Sequence, residues 1–584
     1  SVSFLNFVLD EVFTMQRWSR MLILVAMFVT GYLLILAWQK DYGGVNATST
    51  TKTPAVATVH ATNADIPSAA PTATAVANSD VPVAPQVSTT PVATAGVAAT
   101  QTGLIEVQTD VYRLWIDPKG GDVVRTELLK HLDSKHDDKP FVLLEQDGAR
   151  TYVAQSGLIG ANGPDAQASG RPLYQAQQTR YTLGAGQTEL VVPLVFQAPN
   201  NVTIVKTFVL KAGEYPIQVG YRIDNRGTQP WQGQMYGQLK RDNSIDPSKN
   251  AQGMMGIATY LGGAWGSPAE SYNKLAFDEF QEEALNQQVK GGWIGIVQHY
   301  FVSAWIPNAG DTVTLQSRHA GGTNVIGFVG QTVQVAPNQQ VDLRATLYAG
   351  PKIQSELKSL AEGLNKTVDY GWLWPIAQLL FFGLDAIYKV IGNWGWAIIV
   401  LTVIVKIILF PLSAKSYRSM AKMRVIAPEM QRMKEEFGDD RLRFSQEMMA
   451  LYRREQVNPL SGCLPLLLQM PIFLALYWVL MESVELRHAP WMLWINDLSA
   501  MDPWFVLPLI MGVTMYVQQM LNPQPTDPMQ AKVLRLLPII FTVFLLFFPA
   551  GLVLYWIVNN LLTIAQQWTV NQQIEKESAA KKSA

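Results

Sequence analysis

Two periodicities divide the chain. From about Leu104 to Gly350 apolar and polar positions alternate, whereas before and after that block apolar residues run on for the width of a bilayer. In VYRLWIDPKGGDVV the alternation puts Tyr112, Leu114 and Ile116 on one face, then turns at Pro118–Gly121. In NVTIVKTFVL it sets Val202, Ile204, Lys206, Phe208 and Leu210 against Thr203, Val205, Thr207 and Val209. Many short strands punctuated by Gly, Pro and Asn predict a large all-β sandwich over 104–350.

The unbroken runs predict helices. Met21–Trp38 is an 18-residue run, enough for about 27 Å of helix. It is long for a signal peptide and no A-x-A site directly follows it, so it reads as an uncleaved anchor behind a cytoplasmic N-terminus, 1–20. Met15 is a candidate start, with 1–14 reading as an upstream extension. Residues 39–103, rich in Ala, Thr and Pro, read as a flexible tether. Beyond the β block lies a linker, 351–392: Pro351–Asn365 reads as an amphipathic helix. Trp372–Ile391, with two Trp at its head and Asp385 and Lys389 inside, reads as an interfacial one. Five further spans are expected at about 394–412, 460–482, 504–520, 535–548 and 551–570, forming a core over 393–570, with a tail at 571–584. The spans at 504–520 and 535–548 read as short enough to thin the bilayer locally.

Charge orients the spans. Residues 413–459 hold ten Lys and Arg, while 483–503 hold only Arg487 as a fixed positive charge. The positive-inside rule makes the first loop cytoplasmic and the second external, and returns the tail, with Lys576, Lys581 and Lys582, to the cytoplasm. Six spans with both termini inside satisfy every loop. Within 413–459, Met420, Met423, Ala427, Met430, Met433 and Phe437 recur at helical spacing. Gly438 should end that helix, and Asp439 or Asp440 should cap a second carrying Leu442, Met449 and Tyr452, giving a basic helical hairpin with a kink at Pro428. Asp527-Pro528 reads as a cap opening the fifth span.

Composition narrows the chemistry. The chain is 48% hydrophobic and 16% charged with net charge −1, so bulk electrostatics favour neither nucleic acid nor an acidic partner. A single cysteine, Cys463, removes disulfides, structural zinc and iron–sulfur clusters within one chain. The six histidines show no metal-ligand spacing, and neither a Walker A loop nor GxSxG is present. No cofactor, metal or catalytic residue is implied.

One residue breaks the pattern. In AIIVLTVIVKIILFPLS, Lys406 interrupts a run long enough to span a membrane. A lysine near a helix centre costs about 2.5–3.5 kcal/mol. The twelve Leu, Ile, Val and Phe between Ile398 and Leu412 return roughly 4–7 kcal/mol. Insertion is permitted, but the lysine is not explained. One reading is snorkelling past Pro411. The other is a charge facing a wet cavity, with Thr402 one turn earlier on its face and Gln469, Thr514, Gln518, Gln519, Asn559, Asn560, Thr563 and Gln566 in other spans. No span supplies a carboxylate for Lys406, so it suits a negative charge brought by a visitor.

NWGWAIIVLTVIVKIILFPL, SYRSMAKMRVIAPEMQ, GDDRLRFSQEMMALYRREQVNPLSGCLPLLLQMPIFLALYWVL, TDPMQAKVL and FPAGLVLYWIVNNLLTIAQQ closely resemble the YidC family of membrane protein insertases, over about 394–570. The anchor, tether and β block match the family's Gram-negative form. The resemblance implies a polytopic helical membrane protein of the inner membrane, with a five-helix core around a hydrophilic groove and a periplasmic β-supersandwich. It implies that nascent membrane proteins pass from the cytoplasm to the bilayer, alone or with the Sec translocon and its accessory subunits. It also implies ribosome contact at the hairpin and basic tail, without sequence-specific nucleic-acid binding. Carried onto this chain, Lys406, Thr402, Gln469, Gln518, Asn559 and Thr563 would line the groove, and clients would slide past Cys463, Pro471 and Phe541. The family's groove charge is usually arginine; lysine keeps the charge but lacks the planar fork.

Two rival readings are a transporter or channel, and a membrane-anchored carbohydrate-binding module. The first predicts solute flux and commonly shows internal repeats, which the sequence lacks. The second rests on a resemblance of the β block to sugar-mutarotase sandwiches, which is fold analogy alone.

Overall fold

The alternation in the sequence is the burial pattern of the strands. A computed structural model describes residues 103–134, 137–167, 170–248, 259–437, 440–455, 464–522 and 528–583. The expected anchor 21–38, nearly all of the tether, the break at Gly438, Asp439, Cys463 and Asp527 lie outside the described residues. In Tyr112–Asp117 every second residue is buried, and Val202–Lys211 buries Val202, Ile204, Lys206, Phe208 and Leu210 as the spacing predicts. Hydrogen bonding collects the strands into an eleven-stranded and a nine-stranded sheet. In the larger, Trp231–Arg241 lies between Thr151–Ile159 and Thr323–Gly330; in the smaller, Pro216–Asn225 lies between Val202–Lys211 and Gln339–Pro351. These neighbours are antiparallel; Ile105–Gln108 beside Arg180–Thr182 is a parallel pair. The inner faces share one core, where Trp293, Trp305, Tyr112, Tyr221 and Phe208 are almost wholly buried.

Lys206 sits in that core and bridges the sheets. Its Nζ donates to Gly120 O at 3.0 Å and Ser156 O at 3.1 Å. Arg171 pairs with Asp165 at 2.8 Å and with Asp122 close by. Burial pushes the Lys206 amine down to about 7. A neutral amine carries two N–H bonds, the number used here.

Nine helices are named among the described residues. α1 (Glu279–Glu282) and α2 (Gln354–Leu360) are short; α3 is Trp374–Ile391, α4 Trp394–Phe437, α5 Arg441–Arg454, α6 Leu464–Glu482, α7 Val506–Leu521, α8 Pro528–Leu545 and α9 Ala550–Ser583. Where one amphipathic helix was expected over 351–365, the last strand runs to Pro351 and α2 has seven residues. Gly363 then turns the chain at φ +79°, where an added Cβ would lie 1.8 Å from Ser271 O. α3 buries Ala377, Leu380, Phe381 and Leu384 against the bundle and exposes Leu379, Phe382 and Val390.

The span and hairpin boundaries also differ from expectation. α4 does not stop at 412: it continues through Pro411 and Pro428 to Phe437, so the first span and the first hairpin arm are one rod of 44 residues. Each proline removes one N–H from the helical ladder, and the flanking turns carry it. Asp440 caps α5, its Oδ1 accepting from Arg443 N at 3.1 Å. The hairpin seam is Met423, Ile426, Met430 and Met433 against Leu451 and Tyr452. Leu442 and Met449, expected on that stripe, are exposed, and Met420 packs instead with Tyr417, Ala421, Val570 and Ile574. That last contact exists because α9 runs on through the supposed tail to Ser583. α8 begins at Pro528 and has 18 residues, so the span expected at 535–548 is longer at its start and ends at Leu545.

By length and composition, two described helices are apolar enough to cross a membrane: Gly371–Ile391 and Trp394–Met423. Leu468–Glu482 and Val506–Leu521 are shorter apolar helices. The β-domain packs on the bundle at the end of α6: Lys352 Nζ donates to Glu482 Oε2 at 3.1 Å, and His299 Nε2 donates to Met481 O at 2.7 Å. Arg487 donates to Asp133 O at 3.0 Å with its guanidinium over Phe141, Tyr300 and Phe301.

Candidate groove and its lysine

A cleft of about 370 Å³ opens between α4, α6 and α9. α4 contributes Thr402, Lys406 and Ser413, which lie four and seven residues apart and so share a face. Leu468, Gln469 and Ile472 come from α6, Tyr555 and Asn559 from α9. Polar and apolar groups are mixed on these walls: Val405 and Leu409 lie beside Thr402 and Lys406 on α4, and Gln469 lies between Leu468 and Ile472 on α6.

Lys406 is 9% exposed, and its Nζ donates to Thr563 Oγ1 at 2.8 Å. Among the described residues no carboxylate pairs with it. The head thus crosses to α9 inside the bundle, which is not the snorkelling arrangement. Thr402 donates to Ile398 O at 2.6 Å, and Gln469 Nε2 donates to Tyr555 Oη at 3.4 Å. Asn560, on the other side of α9, donates to Thr514 of α7 at 3.1 Å, so it braces two helices.

Of the residues the sequence singled out, Lys406, Thr402, Gln469 and Asn559 line one cleft, and Thr563 is bonded to its lysine. Gln518 is half-buried on α7 and is not part of that lining. Pro471 is half-buried within α6, and Phe541 on α8 packs at 5.9 Å against Trp556, which also meets Phe473 of α6 at 4.6 Å. Sequence reasoning missed Tyr555 and Ser413. Both were findable: Tyr555, Asn559 and Thr563 follow at four-residue spacing, and Ser413 lies two turns beyond Lys406. A second cleft of about 220 Å³, lined by Tyr417, Gln567 and Asn571 among others, continues toward the hairpin.

A family model described as the YidC periplasmic domain matches residues 104–382, and one described as 60Kd inner membrane protein matches 386–577. The chain is 52% identical over 569 residues to the membrane protein insertase YidC of Pseudomonas entomophila, covering 97% of this chain and 99% of that one. It is 53% identical over 560 residues to that of Stutzerimonas stutzeri, covering 95% and 98%. A crystal structure of an active YidC insertase with its first transmembrane domain resolved is 20% identical, covers 80% of this chain and 92% of that one, and superposes with a TM-score of 0.36. The chain belongs to the YidC family of membrane protein insertases, and it is a protein of the inner membrane.

Proposed function

We propose that the cleft between α4, α6 and α9 is the groove through which this insertase receives the polar end of a nascent transmembrane segment. The observation that carries this is Lys406: a buried ammonium with an acceptor but no carboxylate partner among the described residues, on the wall of a polar cleft. Burying a polar tail in hydrocarbon is costly unless its groups find partners. Lys406, Gln469 and Tyr555 supply donors, so a short acidic tail meets opposite charge where lipid would offer none. The client's apolar segment then leaves beside α6 and α8, past Pro471 and Phe541. There the outer face of α8 shows Leu536, Ile539, Ile540 and Val543 half or more exposed. Burial of the client's own apolar surface drives the step, and no covalent chemistry is involved.

The topology that goes with this places the hairpin of α4 and α5, the tail of α9 and the N-terminus in the cytoplasm, and the β-domain in the periplasm. Loop charge supports it. The ribosome docks at the basic hairpin and tail, and the Sec translocon with its accessory subunits shares some clients. α3 and the turn before it, with exposed Trp372, Trp374, Leu379 and Phe382, lie at the lipid headgroup level.

Liposomes holding only this protein test the groove. A single-span client with a short acidic tail is scored by protease protection with wild type, Lys406→Ala and Lys406→Arg. Insertion by wild type and Arg but not Ala is the expected result. Equal insertion by all three removes the groove charge from the mechanism.

A further inference from the structure

We infer that Thr563 is the positioning residue of Lys406, holding the ammonium in the cleft for a client carboxylate; this rests on the groove reading above. Two hydrogen bonds make the case. Thr563 Oγ1 donates its only proton to Asn559 O, one turn earlier on α9, at 2.7 Å. The hydroxyl can then offer Lys406 nothing but lone pairs, and the ammonium donates to it at 2.8 Å. The backbone bond also fixes the threonine rotamer, so the acceptor points one way.

The neighbouring polar groups donate elsewhere, Thr402 to Ile398 O, Asn560 to Thr514 and Gln469 to Tyr555, and it is the Thr563 hydroxyl that lies 2.8 Å from the ammonium. A lysine needs such an anchor more than an arginine does, because its charge rides on a flexible four-carbon stem. Released, the head would be free to lean along its own helix toward the hairpin end. Held by Thr563, it spends one N–H on the anchor and keeps two for a carboxylate. A client tail can therefore bind without first breaking the resting contact. Thr563 acts through Lys406 rather than on the client.

The test uses the full chain in liposomes and two clients that differ only in the tail, one with Asp and Glu, the other with Asn and Gln in their place. With Thr563→Val, which keeps shape and removes the acceptor, acidic-tail insertion should slow by about tenfold, the scale of one charge-assisted hydrogen bond. Neutral-tail insertion should slow far less than acidic-tail insertion, Thr563→Ser should restore the acidic client, and Lys406→Ala/Thr563→Val should be no slower than Lys406→Ala alone on that client. Independently, an amine-reactive probe should label Lys406 faster in Thr563→Val than in wild type or Thr563→Ser. Equal slowing of both clients would mean that Thr563 only packs the bundle, and would overturn the positioning role. So would an unaffected acidic client when Lys406→Ala is impaired. If Lys406→Ala is silent on both clients, the groove charge itself fails and the positioning role fails with it.

Discussion

Lys352, the first residue past the last strand of the β-domain, donates to Glu482, the last residue of α6, across 3.1 Å. The two side chains are 2% and 7% exposed, and Lys352 also donates to Thr367 O at 3.1 Å. A buried pair of this kind ties the exit of the β-domain to the far end of a helix that lines the cleft. Groove and β-domain are therefore mechanically joined, and tilting α6 must either pivot about Glu482 or break the pair.

Removing one partner should hurt more than removing both. Lys352→Met leaves a buried carboxylate unpaired and should cost about 3–5 kcal/mol, whereas Lys352→Met/Glu482→Leu should recover most of it. A double-mutant cycle on thermal unfolding reads the difference. Equal losses in the single and double variants would show that the pair is not a tight buried contact.

Lys206 makes the β-domain sensitive to pH. Its folded pKa is lowered to about 7 by burial, from 10.5 in the unfolded chain. Between those values the unfolded chain binds the proton and the folded one does not, so stability rises with pH through that window and is lost as pH falls to 7. Below 7 both states are protonated and this group adds no further slope. From pH 7 to 9, before unfolded tyrosines titrate, the gain should be on the order of 2 kcal/mol. Amide exchange on Val202–Lys211, corrected for intrinsic rates, measures it in the full chain. Lys206→Met should flatten the slope; an unchanged slope would assign the effect to another group.

Gly395 should tolerate no side chain. An added Cβ would lie 2.2 Å from Cδ1, 2.3 Å from Cγ and 2.7 Å from Cβ of Trp491. Because the clash includes the tryptophan Cβ, rotating the ring does not relieve it. Gly395→Ala should cost about 1–3 kcal/mol as overpacking and should speed proteolysis within 483–503. An Ala variant as resistant as wild type would mean that the loop can be displaced freely.

Asp502 holds the turn into α7. Its carboxylate accepts from Trp494 Nε1 at 2.9 Å, Trp504 N at 3.0 Å and Leu507 N at 2.7 Å. The same turn keeps Phe505 at φ +56°, a backbone region that a phenylalanine occupies at a cost. Asp502→Ala strands three donors and should cost about 3 kcal/mol. Faster amide exchange at Trp504 and Leu507 is the readout, and protection equal to wild type would rule out the cap.

Much of this could be read from residue order, because hydrophobic period is a local property. Alternation in NVTIVKTFVL placed Lys206 on one face with Val202, Ile204, Phe208 and Leu210 before any strand was paired, and four-residue spacing put Thr402 beside Lys406. The apolar runs marked the helices of the core, and a lysine among twelve large apolar residues marked the site. Helix ends were less legible. The first span was expected to end at 412, beside Pro411, yet one helix runs through Pro411 and Pro428, since neighbouring turns and packing against α9 carry it past the missing N–H groups. Met420 and Leu442 showed the right period but not which partner, or whether any, would cover them.

What no periodicity contains is the meeting of distant segments. Lys406 and Thr563 are 157 residues apart, and Lys352 and Glu482 are 130 apart. Such contacts depend on how helices rotate and cross, which is set by the summed packing of many side chains. The sequence by itself determined that this chain has a β-domain, a helical core of long apolar runs and a lysine set inside one of them. Only the tertiary structure decided that the charge rests on a hydroxyl whose proton is committed to its own helix, in a cleft one of whose walls is anchored to the β-domain.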